Sequence, residues 1–274
     1  MPLRRAFRRS NGPADTTTAR TGDGPRDGST AAPAPEGRGL RCRPTAARHR
    51  PGDLPAGRHR AARYRRRVVV AVLEAYAQLA QRVRAAPARL GRTRLVAVDG
   101  PSGAGKSWFA ARLADALAAL PGGARPPVVH TDDLLDGWDD QLTFWTRLEE
   151  CVLAPVRAGR PGAYRRYSWV RRAFLPRPVP VPAAPVLLVE GVSAARAAAG
   201  RDLSLAVFVT APPELRLTRA VARDGPGILP ELRRWHAGER AHFAADRTEE
   251  RADLVVDGAP DLPHDTRRYY VRRA

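Results

Sequence analysis

Gly100-Pro101-Ser102-Gly103-Ala104-Gly105-Lys106-Ser107 satisfies the pattern G-x-x-x-x-G-K-[ST]. The glycines let successive backbone N–H groups turn inward around phosphate oxygens, and a following helix would present its positive dipole end to the same anion. Lys106 is placed to reach terminal phosphates as a flexible point charge, and Ser107 to offer its hydroxyl to a divalent cation. The chain carries 46 Arg and one Lys, and that lysine is Lys106. A planar guanidinium would not replace it there. The chemistry this spacing supports is the capture of a nucleoside triphosphate.

Other polar residues stand where strand ends would bring them beside that loop. Asp132 and Asp133 follow the apolar run Pro126–His130, where a carboxylate could take a proton from an acceptor hydroxyl or help hold a metal. Thr131-Asp132-Asp133 is also a good helix cap. Glu190 closes the most apolar run of the chain, Val186–Val189, and a carboxylate there needs a cation or hydrogen bonds, so a Mg²⁺ role is expected. Arg216, Arg219 and Arg223 recur at i, i+3 and i+7 and so share one helical face. That face could neutralise charge during phosphoryl transfer, or could simply be solvated.

These residues need a sheet to position them. Short apolar runs at Arg94–Asp99, Pro126–His130, Val186–Val189, Ser204–Val209 and Asp253–Val256 read as strands. Helical spacing covers Leu113–Leu120, Asp140–Arg157, Pro213–Asp224 and Glu231–Arg247. In the second of these, Leu142, Trp145, Leu148, Val152, Leu153 and Val156 are expected on the buried face. Strands alternating with helices predict an α/β fold, with a parallel sheet covered on both faces, over residues 91–260. In such sheets ligands gather at the carboxyl ends of the strands. Over residues 61–90 the spacing of Val68, Val69, Val72, Leu73, Tyr76, Leu79 and Val83 predicts an amphipathic helix preceding this domain. Residues 261–274 read as a basic tail.

Composition bounds the rest. The 274 residues are 43% hydrophobic, enough for a core, yet no run approaches the ~18 apolar residues of a membrane span. Cys42 and Cys151 form no metal-ligand or disulfide pattern, and no secretory signal is visible, so a cytoplasmic setting is expected. Residues 1–60 contain eight Pro, eight Gly and thirteen Arg against five acids. That composition predicts a disordered basic arm. The net charge of +19 raises nucleic acid as a partner through this arm. The preference for Arg, Ala, Gly and Pro is also what GC-rich codons produce. No guanine-reading Asn-Lys-x-Asp segment exists.

Taken together, the Gly100–Ser107 loop, Asp132-Asp133, Val189-Glu190-Gly191 and Arg216–Asp224 resemble the uridine kinase family of P-loop kinases, over roughly Arg94 to Gly258. The resemblance implies the three-layer P-loop NTPase fold with a five-stranded parallel sheet and a mobile lid. It implies ATP and Mg²⁺ as cofactors and a small-molecule hydroxyl as acceptor, a nucleoside first and a sugar or other alcohol next. By position, Asp132 matches the family's base, although Leu134 and Leu135 stand where the family has an aromatic pair. Glu190 matches the residue that helps place magnesium, and Arg216, Arg219 and Arg223 match the lid arginines that grip phosphates. The family's Tyr-Asp-Phe segment has its nearest match in Tyr167-Ser168-Trp169, with Arg171 and Arg172 where a His would follow. Tyr167 and Trp169, with Asp133, are candidate acceptor contacts; the two aromatics could equally be packing. Trp235, His236 and His242, on one late helix with Glu239, lack the i,i+4 geometry of helical metal sites and are read as packing and surface groups. A P-loop ATPase or nucleotide-gated regulator without an acceptor is the alternative.

Overall fold

The structure, a computed structural model, describes residues 71–274. The basic arm read over residues 1–60, and the first part of the helix expected over 61–90, lie outside the described residues.

Strands β1 (Ala71–Ala75), β2 (Arg94–Asp99), β3 (Val128–His130), β6 (Val186–Glu190), β7 (Leu203–Thr210), β8 (Leu254–Asp257) and β9 (Tyr269–Arg273) form one sheet of order β1-β9-β8-β7-β2-β6-β3. Five of them, from β8 to β3, run parallel, as expected. β9 and β1 extend this sheet antiparallel, which gives seven strands where five were expected. The stretch read as a basic tail therefore contains a strand. The stretch read as one helix is strand β1 followed by helix α1 (Tyr76–Ala85), so Val72 and Leu73 belong to a sheet edge. β1 pairs with β9 in the register Ala71↔Arg273 to Ala75↔Tyr269.

The sheet separates two cores because its side chains alternate. Leu95 and Ala97 of β2, with Leu187 and Val189 of β6, face one core. Val96, Val98 and Leu188 face the other. The second is covered by α1, through Tyr76, Leu79 and Val83, and by α2 (Lys106–Ala118), through Phe109, Leu113 and Leu117. The first is covered by Leu134, Leu135, Phe144, Leu148, Val152, Leu153 and Val156. Central strands buried on both faces read as unbroken apolar runs, which is why Val186–Val189 lacks a polar alternation.

The helix expected from Asp140 begins at Trp145: α3 (Trp145–Leu148) runs through a π-helical turn (Glu149–Leu153) into α4 (Ala154–Arg157). Leu142 precedes it and is exposed. β4 (Gly162–Ser168) and β5 (Ala173–Val181) form a separate two-stranded ribbon. α5 (Pro213–Asp224) and α6 (Leu229–Asp246) follow β7 at the expected places, then the short α7 (Thr248–Arg251). No described helix is long and apolar enough to cross a membrane.

Candidate active site

The loop between β2 and α2 is fixed from below by Asp99. Its carboxylate is fully buried and accepts N–H bonds from Gly100 (2.6 Å), Ser193 (2.8 Å) and Ala195 (2.8 Å). Burial pushes its pKa up to about 6, against the opposing pull of those three amides and of Lys106. Asp99 thereby ties the start of the loop to the segment after β6. The sequence offered one signal for this role: an acid ending an apolar strand directly before Gly100.

Lys106 is largely buried at the start of α2, and its ammonium donates to the Pro101 carbonyl at 3.1 Å. Ser107, one residue on, donates its hydroxyl to Glu190 Oε1 at 3.0 Å. Glu190 is 4% exposed, and its carboxylate also pairs with His130 Nδ1. Burial alone would raise the Glu190 carboxyl, but the bond and charge of His130, then Lys106 and Ser107, hold it below its usual value. Burial would lower His130, and the bond and charge of Glu190 instead hold it above its usual value. His130, at the end of β3, is the direct register partner of Glu190, a pairing that nothing in the sequence alone marks.

A cavity of about 790 Å³ opens over this group, lined by Lys106, Ser107, Asp132, Glu190, Arg219 and Arg223. Six of the expected side chains, drawn from four separate elements, thus meet at one place. Asp132 enters it from a 3₁₀ turn, Thr131–Asp133, that continues β3. Burial and the neighbouring Glu190 charge raise its pKa, and Lys106 and Arg223 work against that rise. Arg219 donates to the carbonyls of Gly103 (3.2 Å) and Gly258 (3.1 Å), which holds it beside the loop. Arg223 pairs with Asp224 through two bonds, and its charge also reaches Asp132 and Glu190. A second cavity of about 340 Å³ shares Gly103, Gly105, Trp108 and Arg219 with the first and continues to Gly258, His264 and Tyr269.

Four expected site residues lie elsewhere. Arg216 turns away from the cavity despite its shared helical spacing: its guanidinium is buried against the carbonyls of Ala211 (3.1 Å) and Ser102 (3.4 Å), facing Glu239 at 3.6 Å. Asp133 is buried and accepts the Tyr164 hydroxyl at 3.3 Å; burial pushes its pKa up to about 6, with His130 and Arg166 opposing. Tyr167 and Trp169 meet edge to face at 5.3 Å, and each has a further aromatic neighbour, Phe174 at 5.3 Å and Trp138 at 5.1 Å. Neither lines the larger cavity.

The donor set fits a magnesium ion in one respect. Among the described residues no cluster of three or more His, Cys, Asp or Glu could hold a metal alone. Mg²⁺ is commonly held by one or two carboxylates completed by substrate phosphates and water, and Ser107, Glu190 and Asp132 beside the Gly100–Ser107 loop supply that kind of incomplete shell.

No protein-family model and no curated protein sequence matches the chain. Solved structures do. A protein named as a possible uridine kinase from Bacillus stearothermophilus aligns at 18% identity and a TM-score of 0.49, over 66% of this chain and 96% of that one. A protein provisionally named a fructose transport system kinase from Silicibacter sp. TM1040 aligns at 23% identity and a TM-score of 0.45, over 65% and 94%. TT1252 from Thermus thermophilus aligns at 21% identity and a TM-score of 0.34, over 62% and 91%.

Proposed function

We propose that the protein is a kinase that transfers the terminal phosphoryl group of ATP, with Mg²⁺, to a hydroxyl of a small molecule. One observation carries this reading: Lys106, Ser107, Asp132, Glu190, Arg219 and Arg223 converge on one cavity at the carboxyl ends of parallel strands. The adjoining cavity behind Gly103 and Trp108 offers room for the nucleoside end of the donor.

Residues 100–107 bind the triphosphate through loop amides and the Lys106 ammonium. Ser107 and Glu190 would hold the magnesium ion, which would supply positive charge to the bound phosphates, leaving Asp132 beside them to the acceptor. Asp132 accepts the proton of the acceptor hydroxyl as the new oxygen–phosphorus bond forms and the bond to the leaving diphosphate breaks. Arg219 and Arg223 neutralise charge on the transferring group. Arg216 acts only through the loop that it braces.

A nucleoside is the first-choice acceptor, with a sugar or another alcohol next. The experiment is a screen of nucleosides, sugars and polyols for acceptor-dependent ATP consumption by the full chain. Hydrolysis independent of every acceptor would favour a P-loop ATPase instead. Failure of the wild-type chain to bind ATP–Mg²⁺ would overturn the reading.

A further inference from the structure

Glu239, in the middle of α6, is 1% exposed and stands against the phosphate loop. Its Oε1 accepts the Ser102 N–H at 2.8 Å, the Ser102 hydroxyl, and the Trp235 indole N–H at 2.8 Å. That indole N–H is shared with Ser102 Oγ at 2.9 Å. On the other side of the same residue, Arg216 Nη1 donates to the Ser102 carbonyl at 3.4 Å and faces Glu239 Oε2 at 3.6 Å. Every polar group of Ser102 is therefore engaged by α5 or α6.

The next loop residue is gripped as closely. Gly103 has φ +79°, and a Cβ there would lie 2.5 Å from the Arg216 carbonyl oxygen, so the loop leans directly on the α5 backbone. Beyond it, Arg219 holds the Gly103 carbonyl at 3.2 Å. Ser102 and Gly103 immediately precede the Ala104–Ser107 run whose amides must aim at one anion, so whatever fixes them fixes the aim.

We propose that Glu239 is a positioning residue for the phosphate loop, holding Ser102 so that α5, α6 and the loop form one rigid anion-binding unit. The inference rests on the nucleotide reading above and adds to it a residue outside the P-loop pattern. A carboxylate suits the place because all its neighbours are donors: an amide, a hydroxyl, an indole and a guanidinium. A carboxamide of the same shape would turn two hydrogens toward donors.

The test is a binding cycle on the full chain with ATP–Mg²⁺ as probe, comparing wild type, Glu239→Gln, Ser102→Ala and the double variant. Ser102→Ala removes only the hydroxyl's part of the network, leaving the backbone N–H bond to Glu239, and serves where Glu239→Gln alone fails to fold. Glu239→Gln is expected to raise Kd about tenfold, Ser102→Ala less, and the double variant no more than Glu239→Gln, because the Ser102 hydroxyl acts through Glu239. A folded Glu239→Gln chain with wild-type Kd, or penalties that simply add, would overturn the inference alone. If that variant does not fold, Ser102→Ala with unchanged Kd does the same. A wild-type chain that does not bind ATP–Mg²⁺ would overturn the nucleotide reading, and this inference with it.

Discussion

Ser107 Oγ lies 3.0 Å from Glu190 Oε1, so the last residue of the Gly100–Ser107 loop is hydrogen-bonded to the last residue of β6. The start of α2 and the end of β6 are thereby held in one geometry around the place where the proposed cation would sit. Glu190→Gln removes the charge and keeps the shape. The Mg²⁺ concentration needed for half-maximal ATP binding should rise by about tenfold or more. A magnesium titration of nucleotide binding checks this.

Lys106 is largely buried, and its ammonium donates to the Pro101 carbonyl at 3.1 Å while lining the cavity, a place suited to a compact point charge on a flexible stem. Lys106→Ala should abolish measurable ATP binding. Lys106→Arg, despite keeping the charge, should recover less than a tenth of wild-type affinity. Calorimetric titration of both variants measures the difference.

Asp132 is the proposed base, so Asp132→Asn should lower turnover by about 10²–10⁴-fold while ATP affinity changes little. Because burial and Glu190 raise its pKa, the acid limb of kcat/KM in the wild type should lie above the ordinary aspartate value of 3.8. A pH–rate profile on the acceptor found by screening decides it.

Asp133 gives a stability signature independent of activity. Its folded pKa, about 6, exceeds the ordinary 3.8, so the folded state binds the extra proton between those values. Stability should therefore be greatest below pH ~4 from this group, and fall as pH rises towards 6, by at most roughly 3 kcal/mol. Asp99 acts in the same window and direction. Asp133→Asn should flatten this slope without removing it, as measured by denaturant unfolding across pH.

Gly191 follows Glu190 with φ +139°, and a Cβ there would lie 1.9 Å from Thr131 Oγ1. Gly191→Ala should cost about 2–3 kcal/mol in stability, because the backbone strain and the displaced Thr131 act together. Since Thr131 opens the turn that carries Asp132, turnover should drop further than stability alone explains. Thermal unfolding and turnover measured on the same sample separate the two effects.

The parts of the fold set by local pattern were legible. The strand–loop–helix around Lys106, the buried β6 and the start of α5 at Pro213 all follow from apolar runs and capping chemistry. β1 was not, because Val72 and Leu73 fit a helical repeat, and the pairing that makes them a strand is with residues 269–273. The ribbon was missed because Pro176, Pro178 and Pro180 argue against a strand. Within the candidate site, Asp132 and Glu190, expected at strand ends from the apolar runs before them, line the same cavity as Lys106 and Ser107. Arg216 was placed on the cavity by helical phase, but the close approach of α5 to Gly103 buries it. Glu239 could not be found, since its partner is 137 residues away.

Pro178 and Pro180 sit two residues apart in the regular part of the β4–β5 ladder, opposite Arg165 and Ala163, so the hydrogens they lack are missing from the same rim of β5, and Pro176 adds a third gap beside the irregularity between Arg165 and Tyr167. That rim is a poor template for another chain. A strand offered to that side of β5 meets few of the amides it would need to graft onto, so extension of the ribbon from there is disfavoured.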